Sequence, residues 1–289
     1  MICNLCPRRC GALRTETVGK GWCRQPLSLV VARAGLHFWE EPTISGTCGS
    51  GTVFFTGCVL GCIFCQNGSI SHENFGKAIS VARLREIFQE LIAQGAHNIN
   101  LVSPTPYALA IREALEEPLP VPVVWNTGGY ERVETLKTLE GKVQIWLPDL
   151  KYADNDLAAR YSGAADYFET ATAAILEMYR QVGDYVIEDG LLKRGVVIRH
   201  LLLPGALNNT KAVMDWVAQT FRPGQVLFSL MAQYTPQPGA EGLLARRVTK
   251  MEYRAAMAYM ENLGIVDGYC QDGDSARAEY TPTFDLTGV

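Results

Sequence analysis

Six times between Thr52 and Met231 a short apolar run is followed by a polar or glycine-bearing turn and then by a helical pattern. The runs span residues 52–55, 98–102, 121–125, 143–147, 196–203 and 225–231. Between the first two, Val81, Leu84, Phe88, Leu91 and Ile92 recur at helical spacing and Gly95 provides the stop. Similar helical stretches cover about residues 107–117, 131–140, 166–182, 211–220 and 248–263, and Ile265–Tyr269 offers a seventh short run. Strands that are apolar on both faces and alternate with helices predict a parallel sheet covered by helices. Six units, or seven, fall short of the eight that close a full barrel of about 250 residues. The expected fold is therefore α/β, a partial and open (β/α)6 barrel.

The first run leads into Thr56-Gly57-Cys58-Val59-Leu60-Gly61-Cys62-Ile63-Phe64-Cys65-Gln66-Asn67. Thiolates are soft ligands that suit iron–sulfur clusters and zinc. Cys58, Cys62 and Cys65 leave one coordination position open, as catalytic metal sites do and closed structural sites do not. The chain has nine cysteines in 289 residues, so chance produces this C-x3-C-x2-C spacing about once in a hundred such sequences.

A second set, Cys3, Cys6, Cys10 and Cys23, lies within C-N-L-C-P-R-R-C-G and G-K-G-W-C. Four thiolates can close around a zinc ion or an iron–sulfur cluster, and spacing alone does not separate the two. Arg8, Arg9, Arg14, Lys20 and Arg24 outweigh Glu16 there; they read better as an offset to thiolate charge than as a nucleic-acid contact. Cys48 and Cys270 fit no ligand pattern and read as packing residues. The chain divides into an N-terminal cysteine-rich extension (1–50) that ends on a flexible hinge at Gly46–Gly51, a barrel core (51–270) and a loosely held polar tail (271–289).

A hydrophobic content of 48% with 19% charged residues describes a globular chain. The net charge of −4 offers no general attraction to nucleic acid or anionic membrane. No apolar run approaches the eighteen or so residues of a membrane span, and no signal segment opens the chain. Cysteines at metal-type spacings without a signal segment predict a reducing compartment, the cytoplasm.

Active sites of parallel α/β folds lie at the C-terminal ends of the strands. The polar residues placed there are Ser103 and Thr105, Asn126 and Thr127, Asp149 and Lys151, Arg199 and His200, and Gln233 and Tyr234. An aspartate near a strand end needs a partner, so Asp149 is expected to pair with Lys151, a bound cation or a ligand ammonium.

The run G-C-x-x-x-C-x-F-C-Q-N resembles the signature loop of the radical S-adenosylmethionine enzymes. That resemblance implies a 4Fe–4S cluster on Cys58, Cys62 and Cys65, with S-adenosylmethionine on the open iron. It also implies an adenine beside Phe64 and a 5′-deoxyadenosyl radical that takes a hydrogen from the substrate. In this setting Ser103 to Thr105 offer backbone carbonyls to the ammonium of S-adenosylmethionine, and Lys151 or Arg199 faces its carboxylate.

The runs W-N-T-G-G-Y, L-P-D-L-K and V-I-R-H-L-L-L-P-G are similar to those of the activating enzymes of glycyl radical enzymes. Together with the N-terminal cysteines they resemble the pyruvate formate-lyase activating enzyme-related subgroup. Asn126 and Thr127 fall on its Asp-Thr pair, Asp149 and Lys151 on its Asp and Lys, and Arg199 on its strand arginine. Ser103-Pro104-Thr105-Pro106 stands where that branch has a Gly-Gly-Glu run, and Asn126 where it has an acid. The resemblance implies a glycyl radical enzyme or a peptide as substrate, and a flavodoxin or ferredoxin as electron donor. Another peptide or a small metabolite is the alternative target; a non-catalytic electron carrier or sensor is the reading from a different class.

Overall fold

The structure, a computed structural model, describes residues 2–271 and 282–289. In chain order it opens with β1 (Leu29–His37), α1 (Pro42–Ser45), β2 (Ser50–Phe55), α2 (Gly68–Ser71), β3 (Lys77–Ile79) and α3 (Val81–Ala93). There follow β4 (Ile99–Val102), α4 (Ala108–Ala114), β5 (Val123–Thr127), α5 (Val133–Lys137), β6 (Ile145–Pro148), α6 (Asn155–Ser162) and α7 (Tyr167–Val182). The last elements are β7 (Val186–Glu188), β8 (Leu191–Leu201), α8 (Leu207–Thr220), β9 (Leu227–Met231), α9 (Lys250–Asn262) and β10 (Gly268–Gln271).

All the strands join one sheet, in the order β10-β9-β8-β6-β5-β4-β2-β1-β3, with β7 added to β8. From β2 to β10 every neighbouring pair along this path is parallel. The two outermost strands, β10 and β3, do not pair with each other, so the sheet is mostly parallel and does not close into a barrel. β2, β4, β5 and β6 are buried along their whole length, which is why their sequences run apolar without alternation.

Alternation along each strand sorts the side chains into two layers. Leu101, Trp125, Trp146, Val196 and Ile198 belong to the large core beneath the helices. Val124, Ile145, Leu147, Val197 and Leu227 meet Ile44 and Leu192 in a second cluster on the concave face. Asn126 and Arg199 stand two residues beyond Val124 and Val197, on the same face and nearer the C-terminal strand ends. The concave side is thus apolar below and polar above.

Several elements go beyond the sequence-based expectation. β1, over Leu29–His37, pairs antiparallel with β2 and β3, so the N-terminal region completes the sheet. Asp189 and Gly190 both adopt positive φ, 52° and 75°, in the two-residue turn that folds β7 onto β8. Ser50 and Gly51, expected in a flexible hinge, are buried in β2; a Cβ at Gly51 would meet Ala96 and Leu91 at 2.9 and 3.0 Å. The end of the chain, expected to be loose, docks on β1. Leu286 N–H donates to Ala32 O at 3.0 Å, Ala34 N–H to Thr287 O at 2.9 Å, and Phe284 packs on Phe54. The rest of the expected tail, 272–281, lies outside the described residues. Among the described residues no helix is long and apolar enough to cross a membrane.

His200 sits in the wall of this architecture and not in the polar layer. It is fully buried, with Nδ1 2.7 Å from Leu150 O and Nε2 2.9 Å from Thr210 Oγ1. A neutral ring satisfies both contacts, donating to the carbonyl and accepting from the hydroxyl. Burial holds its pKa down, from 6.5 to about 4. Between those values the unfolded chain binds the extra proton, so this contribution is complete above pH 6.5 and is lost as pH falls towards 4. Urea titrations of the metal-free protein should show a loss of about 3 kcal/mol from this residue across that window. His200→Gln should flatten that part of the profile; an unchanged slope would refute the assignment.

Candidate active site

The cysteine loop leaves the C-terminal end of β2 and is shaped by residues at both of its ends. Thr56 Oγ1 donates to Phe75 O at 2.6 Å. Gly57, at φ 84°, lies so close to Gln25 that a Cβ would come within 2.3 Å of its side chain. Cys65 N–H donates to Cys62 O at 3.1 Å, and Leu60 N–H points to Cys58 Sγ at 3.4 Å. Ser162 Oγ donates to Cys62 Sγ at 3.0 Å, and Ser71 Oγ lies 3.5 Å from Cys65 Sγ. Each thiol therefore carries a hydrogen-bonding neighbour, the arrangement that orients metal ligands.

Ser162 reaches Cys62 because α6 is held in register at both ends. Asp154 accepts from Asp156 N–H and Leu157 N–H at its start, and Gly163 terminates it with φ 58°. The same helix sets Tyr161 against Phe64, 6.1 Å between ring centroids, while Tyr234 approaches Phe64 at 6.2 Å.

Burial pushes the Cys58 thiol up to about 12, and the nearby Cys62 and Cys65 add to it. Three neighbouring sulfurs, Cys62 buried and Cys58 and Cys65 partly so, cannot all be thiolates without a compensating cation. The donor set therefore fits a cationic iron–sulfur core, with all three thiolates from one loop. Among the described residues no three His, Cys, Asp or Glu side chains close around a single ion. A cubane places a separate iron beneath each thiolate and needs no such convergence.

Across the concave face lies a buried charge network. Arg199 Nε donates to Asp149 Oδ1 at 2.9 Å, Nη1 to Glu40 Oε2 at 3.1 Å and Nη2 to Asn126 Oδ1 at 2.6 Å. Glu40 Oε1 accepts from Asn100 at 3.1 Å and Asn126 at 3.2 Å. Lys151 Nζ sits 2.5 Å from Asp149 Oδ2, the pairing expected of that aspartate. Burial alone would raise the Asp149 pKa, but Arg199 and Lys151 outweigh it and hold the carboxyl below its usual value. Lys151 is raised in turn, with Asp149 and then Cys62 overcoming burial. Lys151 thus feels the cysteine loop and the carboxylate network together. Glu40 is pushed up by burial, against the pull of Arg199.

Glu40, Asn126 and Arg199 of this network line one side of an open cavity of about 730 Å³. Gln66 and Asn67 of the cysteine loop, Glu40, Asn126 and Arg199 contribute to its wall, and Phe38 and Trp39 are half exposed where they border it. The cavity therefore joins the signature loop to the polar end of the sheet.

The remaining site expectations fall elsewhere. Ser103 ends β4 with φ 56°, an uncommon conformation for a side chain, and its N–H donates to Asn126 O at 2.9 Å. Thr105 and Thr127 donate their hydroxyls to Glu131 Oε1, on the side of β5 opposite Asn126. Trp125 Nε1 also donates to that oxygen, at 3.3 Å, and burial raises the Glu131 pKa. Tyr167 is fully buried, its hydroxyl 2.7 Å from Asp149 O and 2.9 Å from Gly128 O, which locks the ends of β5 and β6 together. Beside it Gly129, at φ 78°, has no room for a Cβ, which would stand 2.1 Å from Asp149 O. Glu40, Glu131, Ser162 and Tyr167 escape the sequence reading because none lies at a strand end or in a ligand spacing. The signals present were the acidic pair in F-W-E-E-P and the Gly-Gly of W-N-T-G-G-Y.

The N-terminal cysteines lie near one another beside the loop, with, among the described residues, no three of them closed around a single point. Cys6 senses Cys23 and Cys3, and Cys23 senses Cys3 and Cys10. Arg14 is buried and places Nη1 3.6 Å from Cys3 Sγ. The arm is fastened to the core: Thr135 Oγ1 donates to Leu5 O at 2.7 Å and Arg132 Nη1 to Asn4 O at 2.8 Å.

Comparison with known proteins agrees with this geometry. The family profile of the Radical SAM superfamily matches residues 52–217. The uncharacterized protein MJ0674 of Methanocaldococcus jannaschii is 30% identical over 275 residues, covering 91% of this chain and 75% of that protein. Among solved structures, SuiB of Streptococcus suis bound to S-adenosylmethionine superposes with a TM-score of 0.53 at 14% identity, over 78% of this chain. This chain spans about half of SuiB, 51% of its length. Methylornithine synthase (PylB) superposes at 0.51 with 14% identity, over 81% of this chain and 78% of its own. The chain belongs to the radical SAM superfamily, whose enzymes use a 4Fe–4S cluster and S-adenosylmethionine to generate a 5′-deoxyadenosyl radical.

Proposed function

We propose that Cys58, Cys62 and Cys65 hold the 4Fe–4S cluster and that the cavity beside them takes S-adenosylmethionine and then a peptide-borne substrate. Reductive cleavage of the sulfonium supplies the 5′-deoxyadenosyl radical, and the target is a hydrogen on a glycyl residue of a partner protein. The reading rests on one observation: the cysteine loop and the Arg199 network share a single open cavity whose border carries half-exposed Phe38 and Trp39. An open mouth with aromatic residues suits a polypeptide loop better than a sealed pocket would. Similarity to the pyruvate formate-lyase activating enzyme-related subgroup, carried by Thr127, Asp149, Lys151 and Arg199, points to the glycyl target.

Arg199 in the cavity wall, and Lys151 behind it on Asp149, are the cations available to a ligand carboxylate. Asn126 and Glu40 fix the guanidinium of Arg199 in its plane. Phe64, backed by Tyr161 and Tyr234, supplies an aromatic face for an adenine. The Ser103 turn brings backbone carbonyls to the C-terminal end of β4 for an ammonium. SuiB has also been solved with its precursor peptide SuiA, on the same fold (TM-score 0.54), which lends support to peptide access in this architecture.

Anaerobic protein with dithionite and S-adenosylmethionine should release methionine and 5′-deoxyadenosine. A fully loaded cluster that yields neither would sink the enzyme reading and favour an electron carrier. A glycyl-type electron paramagnetic resonance signal in a co-expressed partner would identify the substrate. If products form and no partner acquires that signal, the radical acts on another peptide or a small metabolite.

For the second cysteine set, we propose that Cys3, Cys6, Cys10 and Cys23 hold zinc or an iron–sulfur centre that shapes the arm. Cys6→Ala should lower metal content by the equivalent of that one site and cost stability, while retaining cleavage at a tenth or more of the wild-type rate. Elemental analysis beside the product assay checks this; complete loss of cleavage with the main cluster intact would give the arm a catalytic part.

A further inference from the structure

One side chain joins the two cysteine sets. Arg8 lies between Cys6 and Cys10 in the arm, and its guanidinium inserts against the signature loop. Its Nε donates to Val59 O at 2.9 Å, and Nη2 donates to Leu60 O at 2.9 Å and Ser162 O at 2.7 Å. Nη1 donates to Gly163 O. Four carbonyls from two segments are thus gathered on one planar fork, which no other side chain can match. Trp22 of the arm stacks on the guanidinium at 3.8 Å, with Tyr130 at 5.2 Å. The Arg8 backbone N–H bonds the Cys6 thiol, and the guanidinium lies within electrostatic reach of both Cys6 and Cys58.

The contact with Val59 has a geometric consequence. Val59 C=O and Leu60 N–H belong to one planar trans peptide and point in opposite directions. Because Arg8 holds the carbonyl, the N–H is turned the other way, and it meets Cys58 Sγ at 3.4 Å. Hydrogen bonds to the sulfurs and nearby charge are among the levers that set the potential of an iron–sulfur cluster. A fixed N–H donor and a cation both favour the reduced, more negative state.

We propose that Arg8 is a positioning residue for the catalytic cluster, which orients the Val59–Leu60 peptide towards Cys58 and so sets how readily the cluster accepts an electron. The proposal rests on the reading that Cys58, Cys62 and Cys65 hold that cluster. Through Arg8, the folding of the N-terminal arm is coupled to the redox poise of a site it does not itself ligate.

The test is a redox titration of the reconstituted full-length protein, followed by electron paramagnetic resonance, for wild type, Arg8→Ala and Arg8→Lys. Arg8→Ala removes both the charge and the fork. It should lower the ratio of reduced to oxidised cluster about tenfold at a fixed solution potential, a shift of about 59 mV to more negative values. Arg8→Lys keeps a charge but cannot span four carbonyls, and should fall between the two. Should Arg8→Ala fail to hold a cluster, Arg8→Lys decides alone, since a purely structural role leaves its potential at the wild-type value. Variants that lose thermal stability but titrate with the wild type overturn the proposal. Wild-type protein with no 4Fe–4S signal, or a signal that survives Cys58→Ala in protein that also carries Cys6→Ala, overturns the cluster reading, and the proposal falls with it.

Discussion

Cys62→Ala should lower the yield of 5′-deoxyadenosine by more than about a hundredfold, the most that loss of an outer-sphere partner typically causes. Cys62 is buried and central in the signature loop; Ser162 donates to it at 3.0 Å, and Lys151 feels its charge. With two thiols left, a second iron, besides the one left open to S-adenosylmethionine, would have no protein ligand. Ser162→Ala removes only the hydrogen bond and should fall within about ten- to a hundredfold of wild type. The ordering of the two variants is the informative result. It is read from product formation per cluster, with iron and sulfide measured on the same sample. If Ser162→Ala were as inactive as Cys62→Ala at full cluster content, Ser162 would contact the reacting ligands and not merely a cysteine.

Arg199→Met should cost the metal-free protein about 3–5 kcal/mol, as removal of one partner from a buried ion cluster typically does. The guanidinium neutralises Asp149 and Glu40, whose side chains are 13% and 11% exposed. Taking it away leaves Lys151 to face two carboxylates, and the nearer one is already its partner. Pairing Arg199→Met with Glu40→Gln should recover most of the loss, because it leaves Lys151 and Asp149 as a neutral pair and the expense lies in the stranded charge. Urea denaturation of the single and combined variants checks this. A single variant within about 1 kcal/mol of wild type would mean that water already screens the network. The combined variant should still bind S-adenosylmethionine poorly, since it restores the balance of charge but lacks Arg199 and leaves Lys151 engaged by Asp149.

The parallel core was legible because each of its strands is buried on both faces, and such strands can be read as unbroken apolar runs. The cysteine loop was legible for a related reason: a cluster dictates both residue type and spacing within one short segment. Asp149 and Lys151 shared that advantage, two residues apart in L-P-D-L-K, and their pairing was anticipated. Glu40 was not. It joins Arg199 from 159 positions away, and no local pattern distinguishes it from a surface acid. Thr105 and Thr127 show the converse. Both sit at strand ends as expected, yet alternation turns Thr127 away from Asn126, and both hydroxyls serve the buried Glu131.

The N-terminal arm makes the same contrast within a single motif. Its cysteine spacing announced a metal-type set, and its arginines were read together as an offset to thiolate charge. In the fold they part company. Arg14 lies against Cys3, whereas Arg8 spans the signature loop and the end of α6. The chain's local chemistry was enough to establish a thiolate loop at the end of the first parallel strand and an open sheet around it, because period and ligand spacing act over a few residues. Which charges close on one another, which hydroxyls turn from the cavity, and which arginine steadies the Cys58 loop were decided only in three dimensions. A buried polar group takes whichever partner the packing brings to it, at any distance along the chain.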